Sequence, residues 1–102
     1  MKSNTIITII IPTYNEELYI QKCLLGVLAF SIPEKHEIEI FVIDGMSNDE
    51  TRKIVNKLID ADSRIQLFEN PKKIQAVALN IGVNKSKGEW ILRLDAHATY
   101  PS

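Results

Sequence analysis

The segment TIITIIIP, residues 5–12, is an unbroken run of isoleucine and threonine closed by a proline, and it is the feature that most restricts the fold. A strand wetted on one side alternates apolar with polar residues, whereas a continuous β-branched run suits a strand covered on both faces. Two further runs share this character, IEIFVID at 38–44 and EWILRLD at 89–95, and each ends on an acid. RIQLFEN at 64–70 is a weaker fourth candidate.

Helical spacing fills the intervals. In residues 15–30, Leu18, Ile20, Leu24, Val27 and Leu28 lie on or near one face; Asn15 is placed to cap, and Glu16 and Glu17 suit the positive end of a helix dipole. In residues 47–61, Ser47 and Glu50 have capping-box spacing ahead of a stripe of Ile54, Val55, Leu58 and Ile59. Residues 73–84 present Val77, Ala78 and Ile81, and Gly88 punctuates the approach to the last strand. The order β-α-β-α-β-α-β predicts an α/β fold, a mainly parallel sheet with helices on both faces.

A chain of 102 residues holds one modest domain. Twelve basic residues against thirteen acidic ones give a net charge of −1, so no nucleic-acid partner is expected. Cys23 is the only cysteine, which rules out an intrachain disulfide and points to a reducing, cytoplasmic setting. The apolar run 6–11 is too short to span a bilayer and lacks the layout of a signal peptide.

Ligands of open α/β sheets bind beyond the carboxyl ends of the strands. Those ends carry Pro12, Thr13, Tyr14, Asn15 and Glu16, then Asp44, Gly45 and Ser47, then Asn70, Lys72 and Lys73, and finally Asp95 and His97. No GxGxxG follows the first strand and no GxxxxGK[ST] is present, so a bound phosphate would be held by a metal and lysines instead of a glycine loop. Asp95 and His97, two apart in an extended segment, project to one side and could hold a cation that bridges a nucleotide's two phosphates.

Residue type alone leaves several roles open. Asp44 either serves a ligand or opens a turn with Gly45. Tyr14 either stacks on a ligand or shields the sheet edge, and Lys72 and Lys73 either bind phosphate or are a solvated pair. Ser47, Asn48, Asp49 and Glu50 are capping residues. Arg93, a charge in an apolar strand, either pairs with an acid or faces phosphates. His97 is either a ligand or a surface turn residue.

The motifs IPTYNEE, DGMSNDET, NPKKIQAVALNIG and GEWILRLDAHATYP, in this order over almost the whole chain, resemble glycosyltransferase family 2 with its GT-A fold. They are most similar to members that build bacterial surface polysaccharides and carry Asp-Ala-His where many relatives have Asp-x-Asp. The resemblance implies an inverting transfer of a hexose-type sugar from a nucleotide diphosphate donor, UDP-linked, to a glycan or lipid-linked acceptor. It implies that Pro12, Thr13 and Tyr14 line the nucleoside pocket with Tyr14 beside the base. Asp44 would accept the imide N–H of uracil, and Lys73 would lie near the diphosphate. Asn80 would sit in the helix below the donor, Asp95 would face ribose and metal, and His97 would ligate the metal. Glu16 joins the donor-binding set as a secondary contact to its dipole role.

A divalent metal is the implied cofactor, and an imidazole ligand favours Mn²⁺ over Mg²⁺. Residues 1–102 are expected to be a single donor-binding domain, truncated, with the acceptor-binding half absent and a carboxylate base beyond Ser102. The parent enzyme is expected in the cytoplasm, at the inner face of the plasma membrane if parts outside this sequence take it there. Two alternatives are a non-catalytic nucleotide-binding module and a sugar nucleotidyltransferase. The latter usually shows a glycine-rich basic stretch where PTYNEE stands.

Overall fold

The computed structural model of the chain describes residues 5–29 and 36–96. Its elements run β1 (Thr5–Thr13), α1 (Ile20–Leu28), β2 (His36–Asp44), α2 (Thr51–Ala61), β3 (Ile65–Glu69), α3 (Gln75–Lys85) and β4 (Trp90–Arg93). The strands form one sheet in the order β3-β2-β1-β4, and every pairing is parallel. The α/β architecture read from the apolar runs is therefore the observed one, and the weak fourth candidate is a true strand.

The first two crossovers step outward from β1, and the third returns across it to the opposite side. Right-handed crossovers then place α1 and α2 on one face and α3 on the other. The packing agrees. Ile9, Ile11, Ile38, Ile40, Val42 and Ile65 meet Ile20, Leu24 and Val27 of α1 and Val55 of α2. On the other face Ile10, Phe41 and Ile43 meet Ala78, with Phe68 edge-on to Phe41 at 5.0 Å and 82°. Adjacent residues of β1 and β2 thus feed opposite cores, which is why those strands carry apolar side chains at both parities. Gly82 lets α3 close on the sheet: a Cβ there would stand 2.5 Å from Ile10 Cδ1.

Pro12 sits in a central strand without breaking a ladder. The carbonyls of Ile6 and Ile10 accept from Glu89 and Leu94, so even-numbered residues of β1 face β4. The β1–β4 register ends at Ile10↔Arg93, and the N–H that proline lacks would point past that end.

Two expectations are corrected. β4, read as covered on both faces, is an edge strand whose Trp90, Ile91 and Leu92 are 63%, 41% and 51% exposed. The helices also start later than predicted: α1 begins at Ile20 and α2 at Thr51, and neither Asn15 nor Ser47 caps its own helix. Both side chains are engaged between loops. Among the described residues, no helix is long and apolar enough to cross a membrane.

Candidate functional site

The sheet reverses its strand order at β1, between β2 and β4, and a cavity of about 330 Å³ opens there beyond the strand ends. β1 and the loop after it contribute Pro12, Thr13, Tyr14 and Glu16; β2 and the loop after it contribute Ile43 and Gly45. Asn70 and Lys73 come from the segment after β3, Gln75 and Ala78 from α3, and Asp95 from the end of β4. Of the residues singled out in the sequence, Pro12, Thr13, Tyr14, Glu16, Lys73 and Asp95 are thus brought together.

Beneath the cavity lies a buried polar knot. Asp44 is 0% exposed. Its Oδ1 accepts from Thr13 Oγ1 at 2.9 Å and from Ser47 Oγ at 2.6 Å, while Oδ2 accepts from the Ser47 N–H at 2.8 Å. The Arg52 guanidinium stands 3.7 Å from Oδ2. A carboxylate buried this deeply needs such donors and a counter-charge. Asp44 is not among the residues that line the cavity; it lies directly beneath them, its oxygens bonded to Thr13 and Ser47. It fixes the ends of β1 and β2 relative to each other.

Loop residues complete the clamp. The Asn15 N–H donates to Ser47 Oγ at 2.8 Å, and the Asn48 N–H donates to Asn15 Oδ1 at 3.0 Å. Asn15 adopts φ 52°, a left-handed conformation that asparagine tolerates better than most residues. The Glu16 N–H donates to Thr51 Oγ1 at 2.8 Å, and the Glu50 N–H to Glu17 Oε1 at 2.9 Å. Glu17 thus serves the amino end of α2 and not that of α1, while Asp49 Oδ1 accepts from both the N–H and the hydroxyl of Thr51. Partial burial acts to raise the Asp49 carboxyl, but bonds from the Thr51 side chain and backbone and the Glu17 backbone outweigh it, so it stays below its ordinary value.

Tyr14, 46% exposed, stands at the cavity wall with Lys73 Nζ over its ring at 5.3 Å from the centroid. Lys73 has φ 61°, and its N–H donates to the Asn70 carbonyl at 3.0 Å, so a turn and not a helix start presents this side chain. Gly45 fits between them: a Cβ would lie 3.3 Å from the Thr13 carbonyl oxygen, 3.5 Å from Lys73 Cα and 3.7 Å from Tyr14 Cδ1. Arg93 finds its acid at Asp95 Oδ1, 3.1 Å away, and also donates to Gln75 Oε1 at 2.7 Å. Burial first, and then the carboxylates of Glu16 and Asp95, push the Cys23 thiol up, which leaves it a protonated packing group.

Asn80 is not brought to the cavity. It is exposed on α3, because Ala78 and Gly82 define the sheet-facing side of that helix. His97 lies outside the described residues. Among the described residues no three His, Cys, Asp or Glu side chains converge as a metal cage, so Asp95 is the metal candidate that can be placed.

The sequence reading assigned no role to Asn70 or Gln75. Asn70 is 2% exposed; its N–H donates to the Asp44 carbonyl at 2.7 Å, and its Nδ2 donates to the Ile74 carbonyl at 3.0 Å. Only its place after β3, ahead of Pro71, hinted at a site residue.

The sequence model described as "Glycosyl transferase family 2" matches residues 8–102. A dolichyl N-acetyl-alpha-D-glucosaminyl phosphate 3-beta-D-2,3-diacetamido-2,3-dideoxy-beta-D-glucuronosyltransferase of Methanococcus voltae is 38% identical over 97 residues, which is 93% of this chain and 30% of that protein. Among solved structures, the mannosyltransferase PcManGT of Pyrobaculum calidifontis in complex with GDP-Man and Mn²⁺ aligns with TM-score 0.84 and 29% identity, over 94% of this chain and 28% of that one. S. aureus TarS in complex with UDP aligns with TM-score 0.78 and 28% identity, over 94% and 27% of the two chains. The chain thus spans about a third or less of the length of these proteins.

Proposed function

The chain belongs to glycosyl transferase family 2, and on that premise we propose that the cavity beyond β1, β2 and β4 binds the donor of an inverting glycosyltransferase. The donor is a nucleotide diphosphate sugar, UDP-linked, and the acceptor is a glycan or a lipid-linked sugar. The observation that carries this reading is the convergence of an aromatic face, a lysine and a carboxylate (Tyr14, Lys73 and Asp95) on one cavity at the strand-order reversal.

Each residue has a definable task. Tyr14 offers its ring to the base, and Pro12 and Gly45 shape the slot around it. The clamp of Thr13, Asp44 and Ser47 holds that loop before the donor arrives, which lowers the ordering cost of binding. Lys73 supplies positive charge to the diphosphate as a point charge on a flexible stem. Asp95, held by Arg93 just beyond β4, would face ribose and metal.

A divalent cation fits this edge, because a carboxylate and diphosphate oxygens are the hard donors that such ions take. Asp95 would hold it together with His97, and when bound it would neutralise the charge that develops on the leaving diphosphate. The imidazole favours Mn²⁺ over Mg²⁺. We assign these residues donor binding alone and place the base that deprotonates the acceptor hydroxyl beyond Ser102. The parent enzyme works in the cytoplasm, at the inner membrane face where nucleotide sugars meet lipid-linked acceptors. Family membership favours neither a non-catalytic module nor a nucleotidyltransferase.

Calorimetric titration of UDP in Mn²⁺ and in Mg²⁺ tests the reading. Tighter binding in Mn²⁺, with the metal difference lost in Asp95→Ala, is expected. Equal affinity in the two metals overturns the preference, and no binding in either overturns the donor site.

A further inference from the structure

A strand at the edge of a sheet presents unpaired N–H and C=O groups, a ready template for another strand. β4 is the edge beside β1, and among the described residues no strand pairs with its outer side. Leu94 gives its N–H to the Ile10 carbonyl, so Trp90 and Leu92, of the same parity, bond to β1, while Ile91 and Arg93 turn their backbone groups outward. Trp90, Ile91 and Leu92 are exposed on this edge, and Trp90 is the chain's only tryptophan.

The charges around Ile91 decide what fits there. Lys87 and Glu89 precede it by four and two residues, and Arg93 and Asp95 follow it by two and four. Read outward from Ile91, each charge has its opposite at the same distance on the other side. Charges on an edge usually repel a second copy; these attract one laid antiparallel.

We propose that β4 pairs with β4 of a second copy of this chain, antiparallel about Ile91, joining two four-stranded sheets into one. Glu89 then stands opposite Arg93 of the second copy and Lys87 opposite its Asp95, and the two-fold axis makes each pair twice. Arg93 already binds Gln75 and Asp95, but through Nη2 alone, which leaves Nη1 and Nε for the carboxylate of the second copy. On the other face Trp90 meets Leu92 of the second copy, on the side where Leu94 joins the core beneath α1 and α2. The register is pinned: moving the axis to Leu92 sets Glu89 against Asp95, and moving it to Trp90 sets Lys87 against Arg93. The pairing uses this edge up and stops at two copies. The contact is short, so a reversible equilibrium is expected and not an obligate dimer. The proposal stands apart from the donor reading and does not need a nucleotide.

The test is sedimentation velocity of the 102-residue chain, of Glu89→Lys, of Arg93→Glu and of an equimolar mixture of the two variants. Wild type is expected to pass from monomer to dimer with concentration, and Trp90 emission to move to the blue as it does. Each single reversal sets like charges across the axis twice and is expected to weaken the dimer about tenfold or more. In the mixture the two reversals face each other, and the dimer is expected to return. Wild type that stays monomeric up to about 1 mM overturns the proposal and leaves the edge to another occupant. A dimer that both reversals leave intact, or a mixture that does not recover, overturns it as well. If either variant fails to fold, the tryptophan decides: wild-type dimer with unchanged emission puts the contact elsewhere.

Discussion

Thr13 Oγ1 donates to Asp44 Oδ1 at 2.9 Å, joining the carboxyl ends of β1 and β2 through two buried side chains. The two residues are direct partners in the parallel register. The bond therefore closes the sheet at the point where both loops leave it, and Ser47 ties the second loop to the same carboxylate.

Removing that charge should loosen the loops. Asp44→Asn keeps the shape and an Oδ1 that can still accept from the Thr13 and Ser47 hydroxyls, but puts an NH₂ donor where Oδ2 accepts the Ser47 N–H and faces Arg52. Leaving buried donors unpaired costs about 1–3 kcal/mol. Urea unfolding is expected to report a loss of that size with an unchanged m-value, and an Asp44→Asn protein as stable as wild type would show that the knot contributes nothing.

Tyr14 and Lys73 should separate base binding from phosphate binding. Tyr14→Ala removes a stacking face worth about 1–3 kcal/mol, so UDP should bind roughly tenfold more weakly while stability holds. Lys73→Met frees the Tyr14 ring and removes the cation. Uridine is expected to bind as well as before or better, and UDP roughly tenfold more weakly. Loss of affinity for both ligands in Lys73→Met would mean that the lysine supports the fold and not the phosphates.

Gly82→Ala should run against helix propensity. In an exposed helix the change gains about 1 kcal/mol. Here the new Cβ would stand 2.5 Å and 2.8 Å from Ile10 side-chain atoms, and overpacking of this kind costs about 1–3 kcal/mol. A lowered melting temperature is expected; a raised one would contradict the close approach of α3 to β1.

The Asp62–Arg64 pair gives a signed pH dependence. The side-chain bond from Arg64, followed by its backbone bond, brings the Asp62 carboxyl from 3.8 to about 2. A folded value below the unfolded one means that the contribution to stability is complete above the unfolded value and is lost as pH falls toward 2. Carboxyl NMR titration should find that midpoint, and Arg64→Gln should return it toward 3.8. A wild-type midpoint already near 3.8 would deny the interaction.

The sheet was legible because its inner strands announce themselves: Ile9 and Ile10 point to opposite cores, and only a doubly covered strand uses isoleucine for both. The edge of strand ends was legible from the fold rule, and it placed Tyr14, Lys73 and Asp95 together. Local patterns failed where a polar residue serves another loop. Asn15 and Ser47 carry helix-cap chemistry, but each is engaged by a residue more than thirty positions away, and no window along the chain contains both partners. The depth of Asp44 was not legible either, since burial depends on what the second loop folds over it. Asn70 gave its place after β3 and nothing more, because its bonds to the Asp44 and Ile74 carbonyls exist only once the loop has folded.

The most direct test of the account is a UDP titration of the chain followed by amide NMR in Mg²⁺, with trace Mn²⁺ added at saturation. The account predicts shifts at Tyr14, Gly45, Asn70 and Lys73, and paramagnetic broadening centred on Asp95. A folded spectrum that ignores UDP, or shifts confined to residues away from this cavity, would contradict it.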